Sequence, residues 1–166
     1  SYLRRADLEA LATFSAERGI AIVGDEVFYD FPLASSGSMP AGRTRVIDQE
    51  AALAFSLGGL SKSAGLPQLK LGWMSVSGPA GLVSEALERL EIICDTYLAV
   101  ATPVQLAAPK LLAAGRTIRR EILDRLRLNH DRLAAEVARH PSVRLRPVEG
   151  GWYAILCPLR VLPSSW

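Results

Sequence analysis

At 166 residues the chain is long enough for one domain, or one and a half, with a substantial core. Hydrophobic residues make up 49% and charged residues 22%, an ordinary globular balance that excludes disorder. The net charge of +2 gives no general case for a nucleic-acid partner, and no apolar run is long enough for a membrane span, because Lys62, Lys70 and Asp95 interrupt the candidates.

The chain enters a predicted helix almost at once. Leu8, Leu11 and Phe14 fall on one helical face, and Gly19 is a natural residue to stop it. "IAIV" (20–23) follows as a short, wholly apolar run, as expected of a strand covered on both sides. After the turn-rich "SSGSMPAGR", two further strands are expected at "AFSL" (54–57) and "LKLGWMSV" (69–76). Helix, strand, loop, strand is α/β organisation.

Beyond Gly78-Pro79 the pattern turns helical, with Leu82, Ala86, Leu90 and Ile93 recurring at helical spacing to about Leu98. A second apolar helix is expected from Pro103 to Ala114, broken by Gly115. A long amphipathic helix then carries Ile118, Ile122, Leu126, Leu133 and Val137, and His140-Pro141 ends it. Nine arginines between Arg116 and Arg146 are interleaved with Glu121, Asp124, Asp131 and Glu136, which predicts a solvated, salt-bridged face. "VRLRPVEGGWYAILCPL" alternates as strands around a turn or bulge at Glu149-Gly150-Gly151. A domain boundary is expected near residues 100–115. The start at Ser1 and the closing "CPLRVLPSSW" read as a fragment.

Cys94 and Cys157 make neither a disulfide framework nor a C-x-x-C pair, so a reducing, cytoplasmic setting is the expectation. No metal site is expected. Chemistry concentrates at two residues that follow apolar strands. Asp25 comes directly after "IAIVG", at the carboxyl end where open α/β sheets bind ligands, and Lys62 occupies a similar place after "AFSLGGLS". Taken singly, Asp25 reads as a turn cap and Lys62 as a solvent-facing loop residue. Together they form a pair that pyridoxal phosphate requires: an amine for its aldehyde and a carboxylate for its ring nitrogen. Neighbouring glycines and serines would let backbone N–H groups and hydroxyls approach a phosphate, and Lys70 adds positive charge.

"GDEVFYDF" followed by "SLGGLSKSAGLPQLKLGW" resembles the fold-type I pyridoxal-phosphate enzymes, specifically the class I/II aminotransferases. "YLRRADLEALATFSAERGIAIVGDEV", "YLAVATPVQLAAPKLL" and "GGWYAIL" extend the resemblance over essentially the whole chain. It implies part of a mostly parallel-sheet large domain over residues 1–105, and an interdomain helix with a partial α+β small domain over 106–166. It further implies amino-group transfer between an amino acid and a 2-oxo acid, with pyridoxal 5'-phosphate as cofactor and a homodimer in the full-length protein.

Carried over residue by residue, Lys62 is the Schiff-base lysine and proton shuttle, and Asp25 pairs with the pyridine nitrogen. Lys70 stands where the family usually has a phosphate-binding arginine, and Ser61 and Gly59 lie where phosphate-loop groups are expected. Phe28 stands in place of the family's tyrosine for the cofactor's phenolic oxygen, while the adjacent Tyr29 is expected to point differently. Lys70 lacks arginine's two-pronged fork, and Gly59 replaces a frequent serine. The glycine-rich phosphate turn, the ring-stacking aromatic, the asparagine and the carboxylate-clamping arginine belong to parts of such an enzyme that this sequence does not contain. A carbon–sulfur lyase of the same fold would use the same lysine and aspartate, and a rival from another class is the aminotransferase-like effector domain of a transcriptional regulator.

Overall fold

The computed structural model describes residues 2–33 and 42–158. The elements in chain order are β1 (Leu3–Arg4), α1 (Arg5–Arg18), β2 (Ile22–Asp25), β3 (Arg43–Thr44), β4 (Ala54–Gly59), α2 (Leu60–Ser63), β5 (Gly72–Ser77), α3 (Ala80–Thr96), α4 (Thr102–Val137), β6 (Val143–Leu145) and β7 (Leu156–Pro158). The class is α/β, as expected. The central sheet runs β2-β4-β5, with β2 parallel and β5 antiparallel to β4.

Helix α1 has Asp7 in its first turn and Arg18 in its last, the charge placement that suits a helix dipole. Gly19 ends it in the left-handed conformation at φ 61°, and its N–H bonds back to the Ala16 carbonyl. The buried face is Leu8, Ala12 and Ser15, whereas Leu11 and Phe14 are 38% and 48% exposed. That corrects the expected face. Ala12 packs with Ile22, Val46, Ala52 and Ala54, a site that suits a small side chain. Phe14 instead lies under the Arg18 guanidinium, 3.8 Å from the ring centroid.

The sheet has unequal faces. Ile22 and Ala54 are paired neighbours on the buried face, while Val23 on the opposite face is 63% exposed. Among the described residues, then, β2 is covered on one face, and it starts and ends two residues later than "IAIV". Strand β4 extends past the expected end to Gly59. The third expected strand begins late, because Pro67–Leu69 form a 3-10 turn and Lys70 is left-handed at φ 52°.

The largest correction concerns Gly115. It does not break a helix: α4 is continuous over 36 residues, and Gly115 is buried inside it. A β-carbon at Gly115 would lie 2.6 Å from the Ala64 β-carbon, so the glycine lets α4 lie directly on the end of α2. Four residues on, Arg119 pairs with Asp30 at 2.8 Å. Arg127 and Arg139 pair with Asp124 and Glu136, in keeping with the expected salt-bridged face.

The last segment is less regular than its alternation predicts. Among its described residues β6 and β7 pair antiparallel, and the stretch between them turns back to the first part of the chain. Gly150 bridges Pro32, the Leu33 N–H donates to the Glu149 carbonyl at 2.9 Å, and the Gly151 N–H donates to the Phe31 carbonyl at 2.9 Å. A β-carbon on Gly150 would sit 2.3 Å from the Tyr2 hydroxyl, so this docking requires glycine. No helix among the described residues is long and apolar enough to cross a membrane. Residues 159–166, with most of "SSGSMPAGR" and of the closing run, lie outside the described residues.

Candidate active site

Asp25 and Lys62 leave the same edge of the sheet. Asp25 is the last residue of β2 and pairs with Leu57 of the parallel β4, while Lys62 lies on α2, which follows β4 without a break. Adjacent parallel strands therefore deliver both groups to the carboxyl edge, where α/β sheets bind ligands. Asp25 is exposed, and its Oδ1 accepts the Val27 N–H at 3.3 Å. That bond is the turn-capping contact.

Glu26 fixes the turn that follows. Its N–H donates to the Leu57 carbonyl at 3.1 Å, and its carboxylate accepts the Val46 N–H at 2.9 Å and the Ser56 hydroxyl. Phe28 is thereby turned toward Trp152 and Tyr153, with ring centroids 5.3 Å and 5.2 Å away. Tyr29 faces elsewhere, as expected. Its ring meets Tyr2 edge-on at 5.7 Å, and the guanidiniums of Arg43 and Arg45 lie 4.0 Å and 4.2 Å from its centroid. Arg43 also donates to the Tyr29 carbonyl at 2.7 Å.

A cleft of about 330 Å³ opens beside this turn, lined among others by Tyr2, Gly24, Asp25, Phe28, Tyr29 and Tyr153. The Tyr2 hydroxyl donates to the Tyr29 carbonyl at 3.1 Å, and burial pushes its phenol pKa up against the opposing pull of Arg43. Glu149 fastens Tyr2 from outside the lining, accepting the Tyr2 N–H at 3.1 Å and pairing with Arg4. Lys62 does not line this cleft. It approaches from behind Phe28, with its Nζ 5.6 Å from that ring centroid and 4.9 Å from that of Trp152.

The remaining expected residues share the sheet edge. Ser61 is half-buried on α2 beside Lys62. Gly59 is buried, and a β-carbon there would lie 3.2 Å from the Leu71 carbonyl, so the glycine that replaces a frequent serine has a packing reason. Lys70 is exposed and stands two residues before Gly72, the pairing partner of Gly59. Among the described residues no group of three or more His, Cys, Asp or Glu is placed to hold a metal ion.

Sequence reasoning missed Tyr2, Glu149 and Trp152. "GGWYAIL" was the visible signal for Trp152. Nothing in the local pattern marked Tyr2, whose neighbours lie far along the chain.

Residues 1–156 match the family described as aminotransferase class I and II, and the chain belongs to it. Nicotianamine aminotransferase A of Hordeum vulgare is 31% identical over 109 residues, covering 63% of this chain and 22% of that protein. The B form from the same plant is 30% identical, with 63% of this chain and 19% of that protein covered. In fold, the chain is similar to an alanine aminotransferase from Pyrococcus furiosus, with a TM-score of 0.78, 20% identity, and 96% of this chain and 39% of that chain covered. An aspartate aminotransferase from Thermotoga maritima gives a TM-score of 0.67 at 19% identity, with 90% and 36% covered. The chain thus spans well under half the length of these relatives.

Proposed function

We propose that the protein carrying this chain is a pyridoxal-phosphate-dependent aminotransferase that moves an amino group between an amino acid and a 2-oxo acid. The observation that carries the reading is the delivery of Asp25 and Lys62 to one carboxyl sheet edge by neighbouring parallel strands, each within its family motif. The residues present fit the cofactor. The amine and the carboxylate it needs leave one sheet edge: Asp25 lines a cleft of about 330 Å³, and the Lys62 amine stands outside that lining, next to the Phe28 ring that borders it.

When bound, pyridoxal phosphate supplies an aldehyde for amine exchange and a ring that withdraws electrons from the substrate Cα. Lys62 would hold the cofactor through its amine and, when free, would carry the proton at the substrate Cα. Asp25 holds a proton on the ring nitrogen through its charge. Phe28 stands where the family commonly has tyrosine and, lacking a hydroxyl, would offer the cofactor's phenolic oxygen no hydrogen bond. Gly59, Ser61 and Lys70 would hold the phosphate, Lys70 as a point charge. Residues 1–105 serve as the lysine-bearing part of the large domain, and 106–166 as the interdomain helix and the start of the small domain. The full-length protein works as a cytoplasmic homodimer.

The test is transfer itself. The full-length protein reconstituted with pyridoxal phosphate is offered amino acids with a 2-oxo acid acceptor. Amino nitrogen is expected on the acceptor. Nitrogen released instead as free ammonium would overturn the transferase reading in favour of a lyase.

A further inference from the structure

The Lys62 ammonium lies within cation–π range of two rings, Trp152 at 4.9 Å and Phe28 at 5.6 Å from their centroids. The two rings are themselves held. They pack on one another at 5.3 Å, Phe28 meets Tyr153 edge-on at 5.2 Å, and Trp152 meets the fully buried Phe31 edge-on at 5.3 Å. The backbone beside Trp152 is fastened to the same place by the Gly151 N–H on the Phe31 carbonyl. Meanwhile the Trp152 indole Nε1 is buried with no hydrogen-bond partner among the described residues. A tryptophan that leaves its one donor unpaired is contributing through its ring face.

We infer that Trp152 and Phe28 form an aromatic seat for the Lys62 ammonium, and that Trp152 is a positioning residue which ties the segment after Glu149 to the lysine. The ring faces attract the charged amine and replace part of the water that a half-buried ammonium loses. Because Trp152 lies some ninety residues further along the chain, the lysine is held only when the last segment has docked on Phe31. Trp152 thereby lets the docking of the C-terminal segment set where the amine waits before it meets a cofactor. The functional meaning rests on Lys62 being the reactive lysine, but the contact itself does not, and the test is chosen accordingly.

The full-length protein, freed of cofactor, is reductively dimethylated with isotope-labelled methyl groups, a change that keeps the lysine charge. The Lys62 signal in a carbon–proton correlation spectrum is identified by its loss in Lys62→Arg. Ring currents should place it upfield of the Lys70 and Lys110 signals. Trp152→Leu should return it to the position of exposed lysines, Trp152→Phe should keep most of the shift, and Phe28→Leu should remove a smaller part. An unshifted Lys62 signal in the parent protein, or a shift that survives Trp152→Leu in a folded protein, overturns the seat. If Trp152→Leu fails to fold, the Trp152→Phe and Phe28→Leu pair decides the matter: a shift unchanged in Phe28→Leu and absent from the ring-retaining variant contradicts the proposal. Failure of the aminotransferase reading looks different. Lys62 would then keep its upfield signal yet capture no pyridoxal phosphate.

Discussion

Asp25 and Lys62 leave neighbouring parallel strands at one edge of the sheet, but the chain surrounds them in opposite ways. Asp25 stands in the open with the Val27 N–H on its carboxylate, whereas Lys62 is half-buried with its ammonium against Phe28 and Trp152. The difference follows from what each end costs. A carboxylate at a solvent-facing strand end stays hydrated and needs only a local turn to orient it. An ammonium drawn behind an aromatic residue loses water, and ring faces offer compensation in place of an ion pair. One end is thus organised within a few residues, the other by contacts from distant parts of the chain.

The largest expected effect breaks the lysine end. Lys62→Ala in the full-length protein should abolish amino transfer while leaving the fold intact, since among the described residues this amine meets ring faces rather than hydrogen-bond partners. Retained transfer at the parent rate, measured as 2-oxo acid produced, would place the reactive amine elsewhere.

The aspartate end comes next. Asp25→Ala should slow removal of the substrate Cα proton by roughly 10²–10³-fold, the scale of losing one preorganised electrostatic group. Its denaturation midpoint should barely move, because the side chain is exposed. Turnover within threefold of the parent would reduce Asp25 to a cap on its turn.

A third substitution tests how the lysine end is supported without touching it. Gly115→Ala places a β-carbon 2.6 Å from that of Ala64, at the foot of the helix that carries Lys62. Overpacking of this kind costs about 1–3 kcal/mol, read from urea denaturation. The cost should fall on α2 and spare the Asp25 turn, which Glu26 holds independently.

The smallest effect belongs to Tyr2 on the cleft rim. Burial raises its phenol above the ordinary value of 10.0 in the folded protein. The sign follows from linkage: the contribution to stability is fully present below pH 10 and is lost as pH rises through the raised folded value. Denaturation followed across alkaline pH should show a downward slope that Tyr2→Phe removes. An identical slope in that variant would assign the effect to another group.

Legibility in the sequence divides along the same line. The α/β class, the strands at "IAIV" and "AFSL", and the helix stop at Gly19 were readable because each depends on adjacent residues. The rotation of α1 onto Ala12 and Ser15 was not, since periodicity marks large apolar residues and the sheet here accepts small ones. Gly115 reads locally as a breaker, and only its contact with Ala64 shows that it is a spacer. Trp152 was visible within a motif, but its place beside Lys62 depends on a turn-back to Phe31 that no local pattern encodes.

The central claim, that Lys62 is the amine that holds the cofactor, is tested most directly by covalent trapping. The full-length protein incubated with pyridoxal phosphate is reduced with borohydride, digested and mapped by mass spectrometry. The account predicts a pyridoxyl label on the peptide containing Lys62 and loss of that label in Lys62→Arg. A label on Lys70 or Lys110 instead, or none on Lys62 at saturating cofactor, would contradict it.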